Sequence, residues 1–506
     1  MTLDRRTFLT GVSSSAAVTI TGGNATAGAI GWDPARPFLN ITKPLTIQPV
    51  FMYVVPQRKK QTSWKSWGGV QTEDAAREEI ARISRELAAL SKTPGAPFRF
   101  LPVMPVSSSE QAAKLHAGSH DVVLLYACTG RGQLLKDCIS PQKDTVIFVR
   151  HRSGPVYYWY EALSTKYLST GSGESEKVAP ETAGRVHADD VVVDDYNELN
   201  AKLRGLAGAR NLMGTRIVAL GGSWGKYSPD AVDVAKDKFK MEIIDVNYDG
   251  FAKRIQAARA DTSLVSAAEK CARRYAAMPG TTVSTEFPFV TNTFLLYYLF
   301  KELLREHGAT AFTVKSCMST IMPMSETTAC LALGLMCDEG LAAFCESDFV
   351  IIPPGILLRH ISGMPAFMHN STFPHQRTVT CAHCAAPRRM NGKDYCPTLI
   401  TTHYESEYGA APKVEIPIGQ EVTFLDPEYS TGRWVGVKGI VRGNPNYEVC
   451  RSQQDVEIQG NWELLKSEAR DSHWVMAYGD HLPAAGYAAR KLGIRWFDIT
   501  KAGASS

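Results

Sequence analysis

Three short segments of the sequence place acidic or imidazole side chains beside apolar runs. They are Cys345-Glu346-Ser347-Asp348, Thr380-Cys381-Ala382-His383-Cys384 and Ser472-His473-Trp474. Carboxylate and imidazole groups together form a ligand set that suits Mn, Co, Fe or Zn, and it leaves positions open for substrate oxygens. Each segment alone also fits an ordinary structural role, namely a solvated carboxylate at a turn, a core histidine and a histidine at a barrel edge. Only their combination favours a metal site.

Two further motifs have competing explanations. The spacing Cys381-x-x-Cys384, with Cys396 downstream, fits structural zinc, but a second cysteine pair at the spacing of a zinc site is missing. The run Gly221-Gly222-Ser223-Trp224-Gly225-Lys226 suggests a phosphate-binding loop, yet Leu220 stands where that motif requires its first glycine. We therefore exclude a phosphate loop and leave open whether the three cysteines bind metal.

The bulk composition indicates a globular protein of more than one domain. The chain has 506 residues, of which 44% are hydrophobic and 21% charged. A chain of this length has enough apolar surface for roughly two to four domains. The net charge is only +4, and the sequence has no dense Lys/Arg block interleaved with aromatic residues. Nucleic acid is therefore not expected as a partner.

The N-terminus has the pattern of an export signal. Arg5-Arg6 and Phe8-Leu9 precede a mildly apolar stretch and an Ala-x-Ala site ending at Ala27. This predicts a twin-arginine signal peptide over residues 1–27 and makes the twin-arginine translocase a partner; a disordered N-terminus with two chance arginines is the alternative. The mature protein is then expected in the periplasm or outside the cell. No later segment approaches eighteen uninterrupted apolar residues, so no membrane anchor is expected after processing.

Strand and helix patterns must position the three chemical segments. Alternating apolar runs and helical periodicities predict one α/β domain over residues 45–205 and a second over 206–390. Short alternating strands separated by Gly, Pro and Asn predict a β-barrel domain over 394–506. The fold class is therefore α/β, with two Rossmann-like open α/β domains followed by a C-terminal β-barrel-like domain. Thr72 is a predicted helix N-cap, and residues 325–339 are expected to form a core helix because nearly every face is apolar.

The same segments resemble the fucose and arabinose isomerases. Residues 329–348 are similar to the family's region that carries its first catalytic, metal-binding glutamate, which places Glu346 at that position. Residues 378–387 resemble the histidine-bearing strand of the arabinose branch, at His383. The end of the chain, from His473 onward, resembles the family's last metal-binding histidine followed by strand, helix and strand. The family's second acidic residue matches Asn370.

The resemblance implies a metal-dependent enzyme that interconverts an aldose and a ketose. Its implied metal ligands are Glu346, Asn370, His383 and His473, the metal is Mn²⁺ with Co²⁺, Fe²⁺ or Zn²⁺ as alternatives, and the protein is a homo-oligomer. The substrate is a small-molecule sugar, and the metal acts as a Lewis acid while Glu346 moves a proton between two carbons.

Asn370 is the departure from the family pattern. An amide oxygen can coordinate a metal, but an amide cannot shuttle a proton at neutral pH. The second acid/base group would then be His369, Asp348 or a metal-bound water. Two other hypotheses stay open: a metal-dependent sugar lyase or hydratase that needs only one base, and a non-catalytic periplasmic sugar-binding protein. The co-occurrence of Glu346, His383 and His473 favours an enzyme.

Overall fold

The computed structural model describes residues 30–140, 142–157, 163, 186–428 and 432–501. The predicted signal peptide lies outside these residues, and so does the whole of residues 169–184, a stretch rich in Gly, Ser and Glu that predicts a surface loop. The described chain forms two compact units, residues 43–207 and residues 208–501 together with 30–42. Each unit is described by itself below. The predicted domain boundaries at 205/206 and 390/394 stay predictions.

The first unit is built on a parallel sheet with the strand order β2-β1-β4-β5-β6, and β3 pairs with the far end of β1. Its central strands are continuous buried runs, as expected when helices cover both faces of a parallel sheet. Thr72 caps α1 by accepting a hydrogen bond from the Ala75 backbone N–H, as predicted. The strands are β1 (Leu45–Met52), β2 (Phe98–Phe100), β3 (Met104–Val106), β4 (Val122–Ala127), β5 (Asp144–Val149) and β6 (Val191–Val193). The helices are α1 (Glu73–Leu90), α2 (Ser109–His116), α3 (Gly132–Cys138) and α4 (Tyr196–Leu212), whose last residues belong to the second unit.

The second unit contains another parallel sheet, with the strand order β11-β10-β7-β8. The predicted mixed α/β protein with parallel sheets is confirmed. The description of its α/β domains as Rossmann-like stays a prediction. The strands are β7 (Arg216–Leu220), β8 (Glu242–Val246), β10 (Ala311–Val314) and β11 (Ala342–Phe344). The helices around them are α5 (Ala231–Asp237), α6 (Tyr248–Ala260), α7 (Thr262–Ala276), α8 (Phe287–His307), α9 (Met322–Ser325), α10 (Cys330–Glu339) and α11 (Ile352–Ser362).

The buried helix that leads to Glu346 is shorter than predicted. We expected it to begin at Ser325, but Glu326 adopts a left-handed backbone conformation with φ of 53°, which ends α9 and separates it from α10. α10 is buried along nearly its whole length and closes with Gly340, also at positive φ. No single described helix is long and apolar enough to cross a membrane; one bent pair, residues 317–325 with 330–339, passes the same test by length and composition only.

Six antiparallel strands of the second unit close into a barrel, which confirms the predicted C-terminal barrel. The order β16-β19-β12-β13-β18-β17 closes through pairing of β17 with β16, and β20 (Arg495–Asp498) adds to β17 in parallel. The barrel begins upstream of the change in sequence texture near Asp394, because β12 and β13 belong to it. Its strands are β12 (Phe367–Ser371), β13 (Thr378–His383), β16 (Glu421–Glu428), β17 (Arg433–Gly443), β18 (Ser452–Ile458) and β19 (His473–Tyr478).

One predicted barrel strand belongs to a separate sheet. Residues 413–418 were expected in the barrel, but the strand there, β15 (Ala411–Val414), pairs with β14 (Thr398–Thr401), which pairs in turn with β9 (Thr281–Val283). Pro417 has no backbone N–H to donate to a ladder, which agrees with the early end of this strand. The remaining described helices are α12 (Trp462–Glu468) and α13 (Leu482–Lys491).

Candidate active site

The carboxyl ends of three adjacent parallel strands bring polar side chains to one edge of the second sheet. β7 is followed by the loop that carries Lys226, β10 is followed directly by Lys315, and β11 is followed by Glu346 and Asp348. The chain passes from β7 to β8 on one side and later returns to β10 on the other side, so the strand order reverses between β7 and β10. Open parallel sheets bind their ligands outside such a reversal. This edge is therefore the candidate site.

The backbone at Glu346 is strained. Glu346 and Ser347 have φ of 60° and 54°, in the left-handed region that costs an L-residue about 1–2 kcal/mol. The loop after β7 holds this conformation: the Trp224 indole N–H donates to the Glu346 carbonyl oxygen, and Ser347 Oγ donates to the Gly222 carbonyl oxygen over 2.7 Å. Strained backbone of this kind concentrates at functional sites. The Glu346 side chain remains 36% exposed, so its carboxylate is accessible.

Asp348 orients His473. Nδ1 of His473 lies 2.7 Å from Oδ2 of Asp348, and Oδ1 of Asp348 accepts hydrogen bonds from the backbone N–H groups of Lys226 (2.9 Å) and Val350 (3.1 Å). Asp348 is fully buried and both of its oxygens are engaged, so it cannot serve as the second acid/base group for a substrate. The bond to Asp348 places a proton on Nδ1 of His473, so Nε2 is the nitrogen that faces the site. That Nε2 lies 3.4 Å from Oε2 of Glu346.

His383 approaches Glu346 from the barrel side. Its Nε2 lies 3.7 Å from Oε1 of Glu346, and its Nδ1 accepts a hydrogen bond from the Ala385 backbone N–H over 3.3 Å. An accepting Nδ1 favours the neutral tautomer that carries its proton on Nε2. In that tautomer His383 donates toward Glu346 and has no lone pair for a metal. The structure thus brings the predicted ligand His383 to the site and gives it the geometry of a hydrogen-bond donor.

The surroundings of Glu346 keep its carboxylate ionised. Burial opposes ionisation, but interactions with His383 and His473 outweigh it and hold the pKa of Glu346 well below its usual range. Burial also opposes protonation of His473, yet its contacts with Asp348 and Glu346 raise the pKa of His473 to about 9. Glu346 is therefore a carboxylate at neutral pH, which is the form that either a base or a metal ligand requires.

The remaining two predicted site residues, Asn370 and His369, lie on opposite faces of β12. Asn370 pairs directly with His473 across β12 and β19, so the two side chains share one face of the barrel wall. His369 points the other way, into the barrel core against Phe424, where burial lowers its pKa to about 3 and its Nε2 has no hydrogen-bond partner among the described residues. Its position does not support the prediction that His369 is catalytic, because successive side chains of a strand face opposite sides.

Lys226 is the site residue that our sequence analysis missed. Its Nζ lies 3.3 Å from Nε2 of His473 and 3.7 Å from Oε2 of Glu346, and its side chain is 20% exposed. The run that contains it forms the loop after β7. The signal that could have identified Lys226 is its place in a polar loop after a buried strand of a parallel sheet, where functional residues collect.

One group of acidic and imidazole residues among those described could hold a metal ion, namely Asp348, Asp471 and His473, whose donor atoms lie within 4.8 Å of one another. Asp348 is already saturated by hydrogen bonds, so metal coordination there would require breaking them. The partly exposed carboxylate of Glu346 lies 3.4 Å from the buried Nε2 of His473, and a carboxylate on the other ring nitrogen is the usual partner of a metal-bound histidine. The residues that could hold a metal ion are therefore the cluster of Asp348, Asp471 and His473, with Glu346 beside it. Asp471 is then the alternative carboxylate to Glu346.

The cysteines do not form the alternative zinc site. Cys381 and Cys396 are buried in the barrel core, whereas Cys384 packs with Cys330 and Cys450. No group containing these cysteines has the convergence of donor atoms that a metal needs, in the part of the chain that the structure describes. The eleven cysteines are free thiols, and eight of them are buried.

The resemblance to the fucose and arabinose isomerases rests on segments that meet at this site. Glu346 follows β11, His383 ends β13, His473 begins β19, and Asn370 pairs with it. Their proximity is independent of the resemblance, which stays a prediction. No protein-family model matches this chain, and no curated protein matches it.

Proposed function

We propose that this protein is a metal-dependent, sugar isomerase-like enzyme that transfers a proton next to the carbonyl group of a monosaccharide or keto-sugar. The single observation that carries the proposal is the contact of Glu346 with His473, which is itself bonded to Asp348. It combines a partly exposed, ionised carboxylate with a histidine whose Nε2 faces it and whose other nitrogen is fixed by a buried carboxylate. Proton transfer at a carbon next to a carbonyl needs such a base and an electrophile beside it.

Glu346 and Nε2 of His473 would hold the metal, with the amide oxygen of Asn370 on the same barrel face as a further donor. When bound, a divalent ion polarises the substrate oxygens on either side of the moving proton. Mixed oxygen and imidazole donors suit Mn²⁺, with Co²⁺, Fe²⁺ and Zn²⁺ as alternatives. Because the pKa of His473 is raised to about 9, Nε2 must lose its proton before it can hold a metal, and Lys226 must give up its contact with that nitrogen.

The protein residues have separate roles in the proposed proton transfer. Glu346 removes the proton from the sugar carbon and returns it to the neighbouring carbon, and its fixed backbone aims the carboxylate. His383 donates from Nε2 and steers one Glu346 oxygen. Lys226 stands 3.7 Å from the same carboxylate and supplies the second proton donor that Asn370 cannot provide. Each correctly placed acid or base contributes about 10²–10⁴-fold to such a reaction.

A sugar lyase or hydratase is the second candidate, and Asn370 favours it. Such an enzyme needs one strong base to remove the proton, and Glu346 is accessible while Asp348 is closed to substrate. The two reactions differ in their products: the isomerase returns the proton to the sugar, whereas the lyase expels a leaving group from the adjacent carbon. Product analysis therefore separates them.

The experiment measures metal content and proton exchange together. Protein purified without chelator is analysed for bound metal by mass spectrometry, then incubated in D₂O with a panel of aldoses and ketoses to detect deuterium in the sugar. Glu346→Gln and His473→Ala should lose metal and exchange, and Glu415→Gln, the same substitution as the first on an exposed residue, should keep both. Asp471→Asn tests the alternative carboxylate. Wild-type protein that neither holds a metal nor exchanges a proton contradicts the proposal and favours a sugar-binding protein.

The resemblance also supports proposals about assembly and location. Relatives of this kind are homo-oligomers, and the N-terminal sequence favours twin-arginine export to the periplasm or outside the cell. Because that route carries folded proteins, the metal would be loaded in the cytoplasm. Light scattering of the purified protein and fractionation of cells with and without Arg5→Lys and Arg6→Lys test these proposals.

A further inference from the structure

Lys315 is a cation without an anionic partner at the candidate site. It follows β10 directly and is half-buried. Within the residues that the structure describes, its ammonium forms no ion pair, and its contact is with the Trp224 ring, whose centroid lies 5.6 Å from Nζ. Lys301 on α8, by contrast, has the carboxylate of Glu339 at 2.8 Å. A half-buried ammonium group loses hydration, which favours binding of an external anion.

The loops on either side of β10 bring a second ammonium group, that of Lys226, to the same edge of the sheet. The loops after β7 and β11 pair with each other at Trp224 and Asp348, past the end of β10 where Lys315 lies. Lys226 extends from the first of these loops toward Glu346. The two lysines therefore come from the strands on either side of the reversal in strand order, which is where open parallel sheets bind ligands.

Trp224 contacts both Lys315 and the backbone of Glu346. One face of the indole contacts Lys315, while its N–H is bonded to the Glu346 carbonyl oxygen, and the side chain is 37% exposed. An exposed tryptophan packs against the apolar face of a sugar and keeps a fixed orientation when its N–H is engaged. A sugar lying along the indole would have one end at Glu346 and the other at Lys315.

The balance of charge agrees with an anionic ligand. Glu346, Asp348 and Asp471 bring three negative charges to this edge, and Lys226 and Lys315 bring two positive ones. A divalent metal ion held by neutral His473 would bring the positive charges to four and turn the balance positive. Like charges in a partly desolvated cleft attract an opposite charge more strongly than they would in water. A neutral sugar would leave this excess uncompensated.

We propose that the sugar bound at this site carries an oxyanion, a carboxylate or a phosphate, that Lys315 binds while Lys226 and Trp224 line the path to Glu346. The inference rests on the proposed function, because it names the substrate class of the same site. The two oxyanions share the property that an ammonium group recognises, and they are separated by the test below.

The test compares sugars that differ only in charge. The metal-loaded full chain is titrated calorimetrically with glucose, glucuronate and glucose 6-phosphate, and with the corresponding galactose and arabinose series. We expect at least one charged member to bind roughly 10–100-fold more tightly than its neutral parent, the usual effect of a charge-assisted hydrogen bond. Lys315→Gln should remove most of that difference without changing metal content. Lys393→Gln, on an exposed lysine of another segment, should leave it unchanged.

Each outcome decides the inference. Preference for the uronates identifies a carboxylate, and preference for the sugar phosphates identifies a phosphate. Equal binding of neutral and charged sugars, absence of binding by every charged sugar, or an unchanged preference in Lys315→Gln overturns the inference. If metal loading and proton exchange persist in any of these cases, the proposed function stands alone. If the wild-type chain holds no metal and exchanges no proton, the proposed function fails first, and the charge preference then describes a binding protein.

Discussion

Nδ1 of His473 lies 2.7 Å from Oδ2 of Asp348, and neither side chain has any exposure to solvent. The pair joins two parts of the fold, because Asp348 follows the parallel sheet and His473 begins a barrel strand. Asp348 also accepts hydrogen bonds from two backbone N–H groups, so its position does not depend on the histidine alone. His473 therefore presents Nε2 to the site with little freedom to rotate.

Asp348→Asn should weaken metal binding about 10–100-fold, because the histidine loses the partner that fixes its tautomer and ring orientation. The asparagine retains an oxygen for the backbone N–H groups and is nearly the same size. Removing the charge from a buried pair should also lower the free energy of unfolding by about 3–5 kcal/mol. Metal titration and urea denaturation measure the two effects. Unchanged metal affinity in a folded variant would show that Asp348 does not orient the ligand.

The metal-free protein should lose stability as the pH rises from about 6.5 toward 9. The pKa of His473 is raised to about 9 in the folded state, above the value of about 6.5 for an unfolded histidine. A raised pKa stabilises the folded state, and this contribution is complete at pH values below the unfolded pKa. It disappears as the pH rises through the folded pKa. Urea denaturation in the presence of chelator measures it at several pH values. His473→Gln should flatten this part of the profile; an equally steep profile would assign the titration to another group.

Low pH should destabilise the protein through Glu346. The pKa of this carboxylate is depressed because His383 and His473 outweigh the opposing effect of burial. A depressed pKa stabilises the folded state above the unfolded value of about 4.5, and the contribution is lost as the pH falls below it. Wild type and Glu346→Gln are denatured at pH values from about 3 to about 6, about one unit or more on either side of the unfolded pKa. The free energy of unfolding should fall more steeply with decreasing pH in the wild type. Parallel profiles would contradict this assignment.

Lys226→Gln should separate metal binding from catalysis. The ammonium group lies 3.3 Å from Nε2 of His473, so its removal should leave metal affinity unchanged or raise it several-fold. Turnover should fall about 10²–10⁴-fold because the second proton donor is lost. Calorimetric metal titration and deuterium exchange report the two effects separately. If both properties fall together, Lys226 supports the metal site structurally instead.

Trp224→Phe should reduce turnover more than it reduces stability. The substitution keeps a ring beneath Lys315 and removes only the N–H that holds the Glu346 carbonyl oxygen. The lost hydrogen bond should lower the free energy of unfolding by about 1 kcal/mol, while release of the strained Glu346 backbone should misdirect the carboxylate. Denaturation and deuterium exchange measure the two effects. Normal exchange in this variant would show that the loop is held without the indole.

The sequence predicted which residues meet at the site better than it predicted their roles. Glu346, His383 and His473 were identified from residue type and resemblance, and they meet in the structure. His369 and Asn370 were both assigned to the site, although neighbouring residues of a strand face opposite sides and only Asn370 lies on the face of His473. Strand parity would have resolved this. Lys226 was overlooked because its partners are distant in sequence, so no local spacing indicates them.

The fold was predictable where local patterns suffice. Buried apolar runs and the Thr72 cap correctly indicated the parallel sheets and α1. The start of the barrel was not evident, because β12 and β13 lie before the change in composition and pair with strands far along the chain. The interrupted helix before Glu346 was also missed, since the left-handed Glu326 depends on its surroundings and not on residue type alone.

β19 supplies His473 with its first residue and pairs with both β12 and β16. The last donor of the proposed site is therefore delivered by the strand that completes the barrel wall, about thirty residues before the described chain ends. During synthesis, the site cannot assemble until β19 has been made and has paired with β12 and β16. Metal retention would then report that folding is complete, and a chain truncated before β19 would be both metal-free and open along one side of its barrel.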